Sequence, residues 1–585
     1  MSVEKTHPRP WLKHYDQGVP ASLDYPDITL NDLFAEAVRT YPDRLATKFV
    51  LRYLLGGRVM VGGTLTYREL GTLVERLAAA LSRLGVRAGD RVALMLPNSP
   101  HYVIAFFAVM RLGAIVVNIN PTYTARELKA PLIDSSARAI VLLNLFYPRL
   151  KQIRAETPVQ HVVVAHVDDV LRFPFKQLVR ARQRKEADWV DVSGEDVHLF
   201  AHLLNTADAP PPVSVQPDDI ALLQYTGGTT GVPKAAMLTH RNLVCNTTQV
   251  RAWLTSGVEG GERVMAAIPF FHVYGMTVCL LYGVAMAAEL VIVPNPRPIE
   301  NVMRIMSKER CTIYPGVPAM YIGIVNNPNV GRYDLKSVKA CISGSAPLPV
   351  EIQKRFNALT GGRLVEGYGL TEASPVTHCN PEFNENRPGS IGLPFPDTDA
   401  KLVDLSTGAD LPMDGNPETI GELCVRGPQV MKGYWNRPDE TAKAIDADGW
   451  LHTGDIARMD ADGYFYIVDR KKDMINVGGL KVLPREVEEV LFTHPAILEA
   501  SVAGVPNPER GDDTLTAFVV LRPGMHLTAE ALQAFCRQNL APYKVPRAIV
   551  FRDALPKTQV GKVLRRVLVE EARSAHAPLA EAEPH

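Results

Sequence analysis

The chain lacks an excess of charge of either sign, with 63 Lys and Arg against 63 Asp and Glu. That balance removes the polycationic surface on which a nucleic-acid binder depends. Cysteine is scarce and scattered. Cys245, Cys279, Cys311, Cys341, Cys379, Cys424 and Cys536 include no CxxC pair, so neither a zinc site nor a disulfide framework is implied. A reducing, cytoplasmic compartment is the natural expectation. No apolar core precedes Phe34, where Lys5, Arg9, Pro10 and Lys13 mark a polar start, so no secretory leader is expected. Long hydrophobic runs are missing with one exception. Residues 264–288 carry no charge apart from His272 and are long enough to span a bilayer. Pro269, His272, Gly275 and Gly283 interrupt them, and the flanking pattern calls for a buried strand and a buried helix instead.

What is present is the pattern of a large soluble enzyme: 585 residues are too many for one core, and 22% are charged. Thr66 and Glu69 form a capping box that opens a helix, with Leu70, Leu73, Val74, Leu77 and Leu81 on one face. Gly89 and Asp90 then precede a strand over residues 92–96, and a helix over 102–112 ends at Gly113 before a strand at 115–117. This alternation predicts parallel sheets covered by helices. A smaller unit begins after Arg470, with a helix over 485–492, strands near 500–505 and 515–521, and a helix over 528–540. The expected fold is therefore α/β, a large N-terminal domain over residues 1–469 joined to a mobile α+β lid over 470–585. The lid's length of about 115 residues is ordinary for one domain. The tail from residue 572, rich in Ala, Pro and Glu, is expected to be disordered.

The run from Tyr225 through Thr226, Gly227, Gly228, Thr229, Thr230, Gly231, Val232 and Pro233 to Lys234 has the build of a loop that wraps phosphates. Glycines let backbone N–H groups close around an anion, and threonine hydroxyls add donors. It is not a Walker A loop, because Val232 and Pro233 separate Gly231 from Lys234. On pattern alone a solvated turn remains open. Four further segments follow in order: Ser343-Gly344-Ser345-Ala346-Pro347, Glu366-Gly367-Tyr368-Gly369-Leu370-Thr371-Glu372, Trp450-Leu451-His452-Thr453-Gly454-Asp455 and Asp469-Arg470-Lys471-Lys472-Asp473. With Pro556-Lys557-Thr558-Gln559-Val560-Gly561-Lys562, the set resembles the adenylate-forming superfamily of acyl-CoA synthetases, carrier-protein adenylation domains and firefly luciferases.

The resemblance implies that ATP, Mg²⁺ and CoA take part. Activating a carboxylic acid requires attack on the α-phosphorus while pyrophosphate leaves, so a site must neutralise charge and hold the reactants in line. By resemblance, the loop Thr226 to Gly231 and Lys234 serve the β- and γ-phosphates, and Thr371 and Glu372 serve the α-phosphate and the metal. Tyr368 offers adenine an aromatic face, with Gly344, Ser345 and Ala346 opposite. By resemblance, Asp455 is expected to accept from the ribose hydroxyls and Arg470 to donate to ribose or phosphate oxygens. By the same resemblance, Lys562 matches the adenylation lysine, Lys472 occupies the hinge position, and Gly478 and Gly479 are expected to line the path of the CoA thiol.

For the acid, Phe270, Phe271, His272, Val273 and Tyr274 stand where amino-acid adenylation domains carry a Phe-Asp motif, so a cationic substrate is disfavoured. His272 matches a histidine that lies over the carboxylate in acyl- and aryl-CoA ligases, and Met276 stands where some long-chain ligases have a tryptophan gate. Residues 120–124 with Glu127 and Leu128, and 473–475 with 484–488, resemble bacterial long-chain fatty-acid–CoA ligases. An aryl-CoA ligase, a ligase loading a carrier protein and a membrane-docked fatty-acid uptake protein remain as alternatives. The partners expected are fatty acid, ATP and CoA, without nucleic acid, and a homodimer stays open. Arg172, Lys176, Arg180, Arg182, Arg184 and Lys185 occur over residues 171–185 without an acid, while Leu171, Phe175, Leu178 and Val179 are expected to share a helical face. Such a helix can rest on an anionic membrane, although Pro174 weakens it.

Overall fold

The computed structural model describes residues 9–55, 58–185, 189–226, 233–477, 480–507, 512–558 and 563–576. The capping box forms as read. Thr66 Oγ1 accepts from Glu69 N–H at 3.2 Å and Glu69 Oε2 accepts from Thr66 N–H at 2.8 Å, starting the helix Tyr67–Arg83. Loss of such a cap costs about 1 kcal/mol. The helix buries Leu70, Val74, Leu77 and Leu81. The next helix, Pro100–Arg111, closes where Gly113 adopts φ +64°. A Cβ there would also meet Val213 and Val215 side chains at 3.2 and 3.3 Å, so glycine is required twice over.

The largest sheet has eight strands in the order Gly433–Tyr434, Lys234–Thr239, Ile220–Thr226, Ile115–Asn118, Arg91–Met95, Ala139–Leu143, His161–Ala165 and His198–Leu199. From Ile220–Thr226 onward the neighbours run parallel, whereas Lys234–Thr239 returns antiparallel. Val92, Ala93, Leu94, Val116 and Val117 are completely buried, as a sheet covered on both faces requires. A second sheet orders Arg263–Ala266, Glu289–Ile292, Leu45–Leu54 and Val59–Thr66.

The long apolar run resolves into this second sheet. Its first residues join the strand Arg263–Ala266, and Val273–Gly275, Met276–Leu281 and Tyr282–Ala285 form buried helical turns. A Cβ on Gly283 would come within 2.4 Å of Leu290 Cδ2, so the helical stretch lies hard against the strand Glu289–Ile292. No helix among the described residues is long and apolar enough to cross a membrane.

The chain forms two compact units, one from Trp11–Asp399 with Val425–Leu451, the other from the residues before Trp11, Ala400–Cys424 and the chain from His452 on. The segments 400–424 and 452–469, placed by sequence reading in the larger domain, thus belong to the unit that carries the C-terminus. Asp399–Val403, Gly421–Arg426, Leu451–Met459 and Phe465–Arg470, most of whose residues belong to that unit, make one four-stranded sheet. Further on, Ile497–Asn507 pairs antiparallel with Asp512–Leu521, which pairs parallel with Ala548–Phe551, and the helices Pro484–Thr493 and Ala529–Asn539 accompany them.

Two expectations are corrected. The helix Arg565–His576 continues through residues where disorder was expected, because Leu568 and Ala572, one turn apart, are buried with Ala503 and Phe518; residues 577–585 lie outside the described ones. The basic helix begins only at Phe175, after Pro174. Leu171 precedes it and is buried, Val179 is buried, and Leu178 is 56% exposed, so the four apolar residues do not share a face. Adjacent helical positions such as 178 and 179 point about 100° apart. Three of the cations also have work within the fold. Arg180 pairs with buried Asp168 at 2.8 Å, Arg184 lies 5.0 Å from the Trp189 ring centroid, and Arg172 pairs with Glu69.

Candidate active site

Thr226 ends one strand and Lys234 begins the next, the two residues facing each other across the hairpin. Gly227, Gly228, Thr229, Thr230 and Gly231 between them lie outside the described residues. Lys234 Nζ pairs with Glu440 and lies 5.5 Å from the centroid of the Tyr434 ring. That contact, with Lys443 adding to it, holds the Glu440 carboxyl down at about 2. Tyr434 arrives on the short strand Gly433–Tyr434, in register with Ala236, and its hydroxyl donates to Glu372 Oε1 at 2.7 Å. Burial first, and then the charge of Glu372, push the phenol well above its ordinary range, so it remains a donor. Lys234 and Glu372, from motifs far apart in the chain, therefore meet at one tyrosine that sequence reasoning passed over.

The strands Ala340–Ser343 and Arg363–Gly369 are parallel neighbours, with Ser343 opposite Glu366. Gly344, Ser345 and Ala346 consequently leave the same sheet edge at which Tyr368 stands. Ser345 takes φ +73°, and a Cβ on Gly344 would approach the Tyr274 ring to 3.1 Å. Tyr368 sets its ring edge-on to His378, centroids 5.9 Å apart. Thr371 and Glu372 follow in the tight turn Thr371–Ala373, and Met431 N–H donates to Glu372 O at 2.8 Å.

His272 caps the turn Val273–Gly275, its Nδ1 accepting from Tyr274 N–H at 3.2 Å. In the neutral ring the proton then belongs on Nε2, which makes that nitrogen a donor. A set of buried amides fixes the approach to His272. Asn98 Nδ2 donates to Ala266 O at 3.0 Å and Ile268 O at 2.7 Å, while Phe270 N–H donates to Asn98 Oδ1 at 2.7 Å. Asn118 Nδ2 donates to Gln224 Oε1 at 2.9 Å, and Gln224 Nε2 donates to Phe271 O at 3.0 Å. Buried amides are costly unless satisfied, so such a network specifies one arrangement. Sequence reasoning missed it, yet the signal was there: Asn118 ends an otherwise apolar strand, and Gln224 follows the apolar run of residues 220–223 within its own.

In the second unit Asp455 and Arg470 are brought together as a register pair across adjacent strands, Arg470 Nε lying 3.1 Å from Asp455 Oδ1. Glu422 accepts from Gly454 N–H at 3.1 Å and pairs with Lys471 at 2.9 Å. Asp469 accepts from Arg470 N–H and Arg485 N–H at 2.7 and 2.8 Å, and burial still leaves its carboxyl raised. Asp473 pairs with Arg565 at 2.7 Å, and Arg565 also reaches Glu488 at 2.7 Å. The backbone on both sides of Lys472 is thereby tied to the sheet and to the helix Pro484–Thr493. Gly478, Gly479 and Lys562 lie outside the described residues.

A largely parallel sheet covered by helices, with Lys234 and Glu372 from separate motifs meeting at Tyr434, defines an α/β protein with a polar cluster beside its central strands. The chain belongs to the AMP-binding enzyme family: residues 34–435 match the AMP-binding enzyme and residues 486–562 the AMP-binding enzyme C-terminal domain. It is similar to the long-chain-fatty-acid–CoA ligase of Bacillus subtilis (strain 168), 44% identical over 571 residues, 97% of this chain and 99% of that protein. Among solved structures it is similar to ATP-bound MatB from Rhodopseudomonas palustris, with TM-score 0.79, 27% identity and coverage of 94% and 100% of the two chains. The anthranilate CoA ligase AuaEII in complex with anthranoyl-AMP gives TM-score 0.79, 28% identity and coverage of 94% and 98%. The α/β architecture with a smaller C-terminal part, expected from the sequence, is the architecture of this family.

Proposed function

We propose that this chain is a long-chain-fatty-acid–CoA ligase that forms AMP. A fatty-acid carboxylate oxygen attacks the α-phosphorus of ATP, the bond to the bridging oxygen breaks, and pyrophosphate leaves. The CoA sulfur then attacks the acyl carbonyl, the bond to AMP breaks, and the thiol proton passes to solvent. The near-full-length likeness to a ligase of this specificity carries the reading.

The residues take the following parts. The loop from Thr226 to Gly231 and Lys234 neutralise the departing phosphates. Nε2–H of His272 donates to the substrate carboxylate, and Lys562 approaches both that carboxylate and the α-phosphate. Gly344, Ser345, Ala346 and Tyr368 receive adenine, and Asp455 with Arg470 receives ribose. Lys472 acts as the hinge between the half-reactions, and Gly478 and Gly479 line the thiol's path. Glu372 suits Mg²⁺, being a hard oxygen donor whose carboxylate is already oriented by Tyr434. When bound, Mg²⁺ would offset phosphate charge. Thr371 attends the α-phosphate beside it.

The enzyme acts in the cytoplasm and touches an anionic membrane through Phe173 and Leu178, 81% and 56% exposed, with Lys176 between them. Co-sedimentation with anionic vesicles should fall for Phe173→Ser with Leu178→Ser; unchanged binding would remove this surface. The activity is tested by pyrophosphate release and acyl-CoA formation across medium- and long-chain fatty acids, cinnamates and amino acids, each with and without CoA. Release that requires long-chain acids and yields acyl-CoA supports the reading, while preference for cinnamates or indifference to CoA overturns it.

A further inference from the structure

Tyr434 and Glu372 stand 62 residues apart and meet at 2.7 Å, hydroxyl to carboxylate. The tyrosine is held from several directions. Its backbone pairs with Ala236, its N–H donates to Thr441 Oγ1 at 2.9 Å, and its ring lies 5.5 Å from Lys234 Nζ. Glu372 is gripped a second time by the same segment, because Met431 N–H donates to its backbone oxygen at 2.8 Å. Residues 431–434 thus set both the backbone and the side chain of Glu372. A carboxylate on a flexible stem has many orientations, and a hydrogen bond on one oxygen selects those that present the other.

We infer that Tyr434 is a positioning residue for adenylation: its hydroxyl orients the Glu372 carboxylate toward the metal–nucleotide complex, while its ring keeps the Lys234 ammonium beside the same phosphates. This rests on the proposed reading of Glu372 as the metal-binding carboxylate. The phenol itself touches no reacting atom. Tyr434→Phe keeps the ring against Lys234 and removes only the hydroxyl, so it separates the two contributions.

The experiment uses the full chain with ATP and Mn²⁺ as the spectroscopic probe. Free Mn²⁺ is read by electron paramagnetic resonance for the parent, Tyr434→Phe and Glu372→Gln, alongside melting temperature and the fatty-acid KM. Tyr434→Phe should bind Mn²⁺ in the presence of ATP about tenfold more weakly, with the fatty-acid KM and melting temperature at parent values. Parent-like Mn²⁺ binding in Tyr434→Phe, with binding lost in Glu372→Gln, would overturn the inference and leave the role of Glu372 standing. Parent-like binding in both variants would remove that role and the inference with it. Weaker binding accompanied by a lower melting temperature and a raised fatty-acid KM would make Tyr434 merely structural and also overturn it.

Discussion

Asp455 and Arg470 form a single cross-strand pair, with Arg470 Nε 3.1 Å from Asp455 Oδ1. Their exposures differ: the Asp455 side chain is 8% exposed and that of Arg470 is 37%. The carboxylate is therefore the fixed member, and the guanidinium can share its donors with a nucleotide. Asp455→Asn keeps the shape and removes the charge. Because hydrogen bonds to charged groups are worth about 1.5–3 kcal/mol, the ATP KM should rise about tenfold or more while the fatty-acid KM stays put. An unchanged ATP KM would refute the ribose role.

Lys562→Ala should lower acid-dependent pyrophosphate release by about a hundredfold to a thousandfold, the usual effect of removing one donor to developing charge. ATP binding by calorimetry should persist, since the residues proposed to hold the phosphates, Thr226 to Gly231 and Lys234, remain. Full retention of release would remove Lys562 from the adenylation step.

Asn98 satisfies three backbone groups of the segment leading to His272. Asn98→Ala orphans Ile268 O and Phe270 N–H in a buried setting, while Ala266 O keeps Val293 N–H at 3.1 Å, and should cost about 2–3 kcal/mol in urea unfolding. The fatty-acid KM should rise as well, because the His272 turn loses its anchor. A variant as stable as the parent would show that the segment is held elsewhere.

His240 Nδ1 accepts from Leu30 N–H at 3.2 Å, and desolvation lowers its pKa from 6.5 to about 4. Between those values the unfolded chain binds a proton that the folded chain refuses. Stability is therefore lost as pH falls through that window, by about 3 kcal/mol in all. Urea midpoints compared at about pH 7 and about pH 5 should converge in His240→Gln relative to the parent. An equal acid loss in both proteins would place the effect on other groups.

Arg565 joins Asp473 and Glu488 with little exposure, whereas Arg68 and Asp43 form a pair whose side chains are 62% and 83% exposed. Arg565→Met removes the partner of Asp473 and one of two partners of Glu488, which keeps Val502 N–H at 2.7 Å, and should destabilise by about 2 kcal/mol. Arg68→Ala should cost about 0.5 kcal/mol or less. Thermal melts of the two variants check the contrast, and equal shifts would contradict it.

The sequence by itself determined whatever depends on neighbours within a turn or two. The Thr66 and Glu69 capping box, the stop at Gly113, the apolar strands and the helices of the C-terminal part were legible because their hydrogen bonds and steric limits act over three or four residues. The ordered motifs likewise named the family, since their glycines, threonines and carboxylates stand close together in the chain. Only tertiary structure decided that Tyr434 meets Glu372, that Asn98 and Gln224 hold the approach to His272, and that residues 400–424 join the C-terminal unit. It also decided that Leu178 faces outward and that Leu568 and Ala572 order the chain as far as His576. Each of these depends on a partner that sequence spacing does not specify. A long-range pair forms when the surrounding packing offsets the entropy of closing the intervening chain, and that balance is struck by the whole fold rather than by the residues on either side.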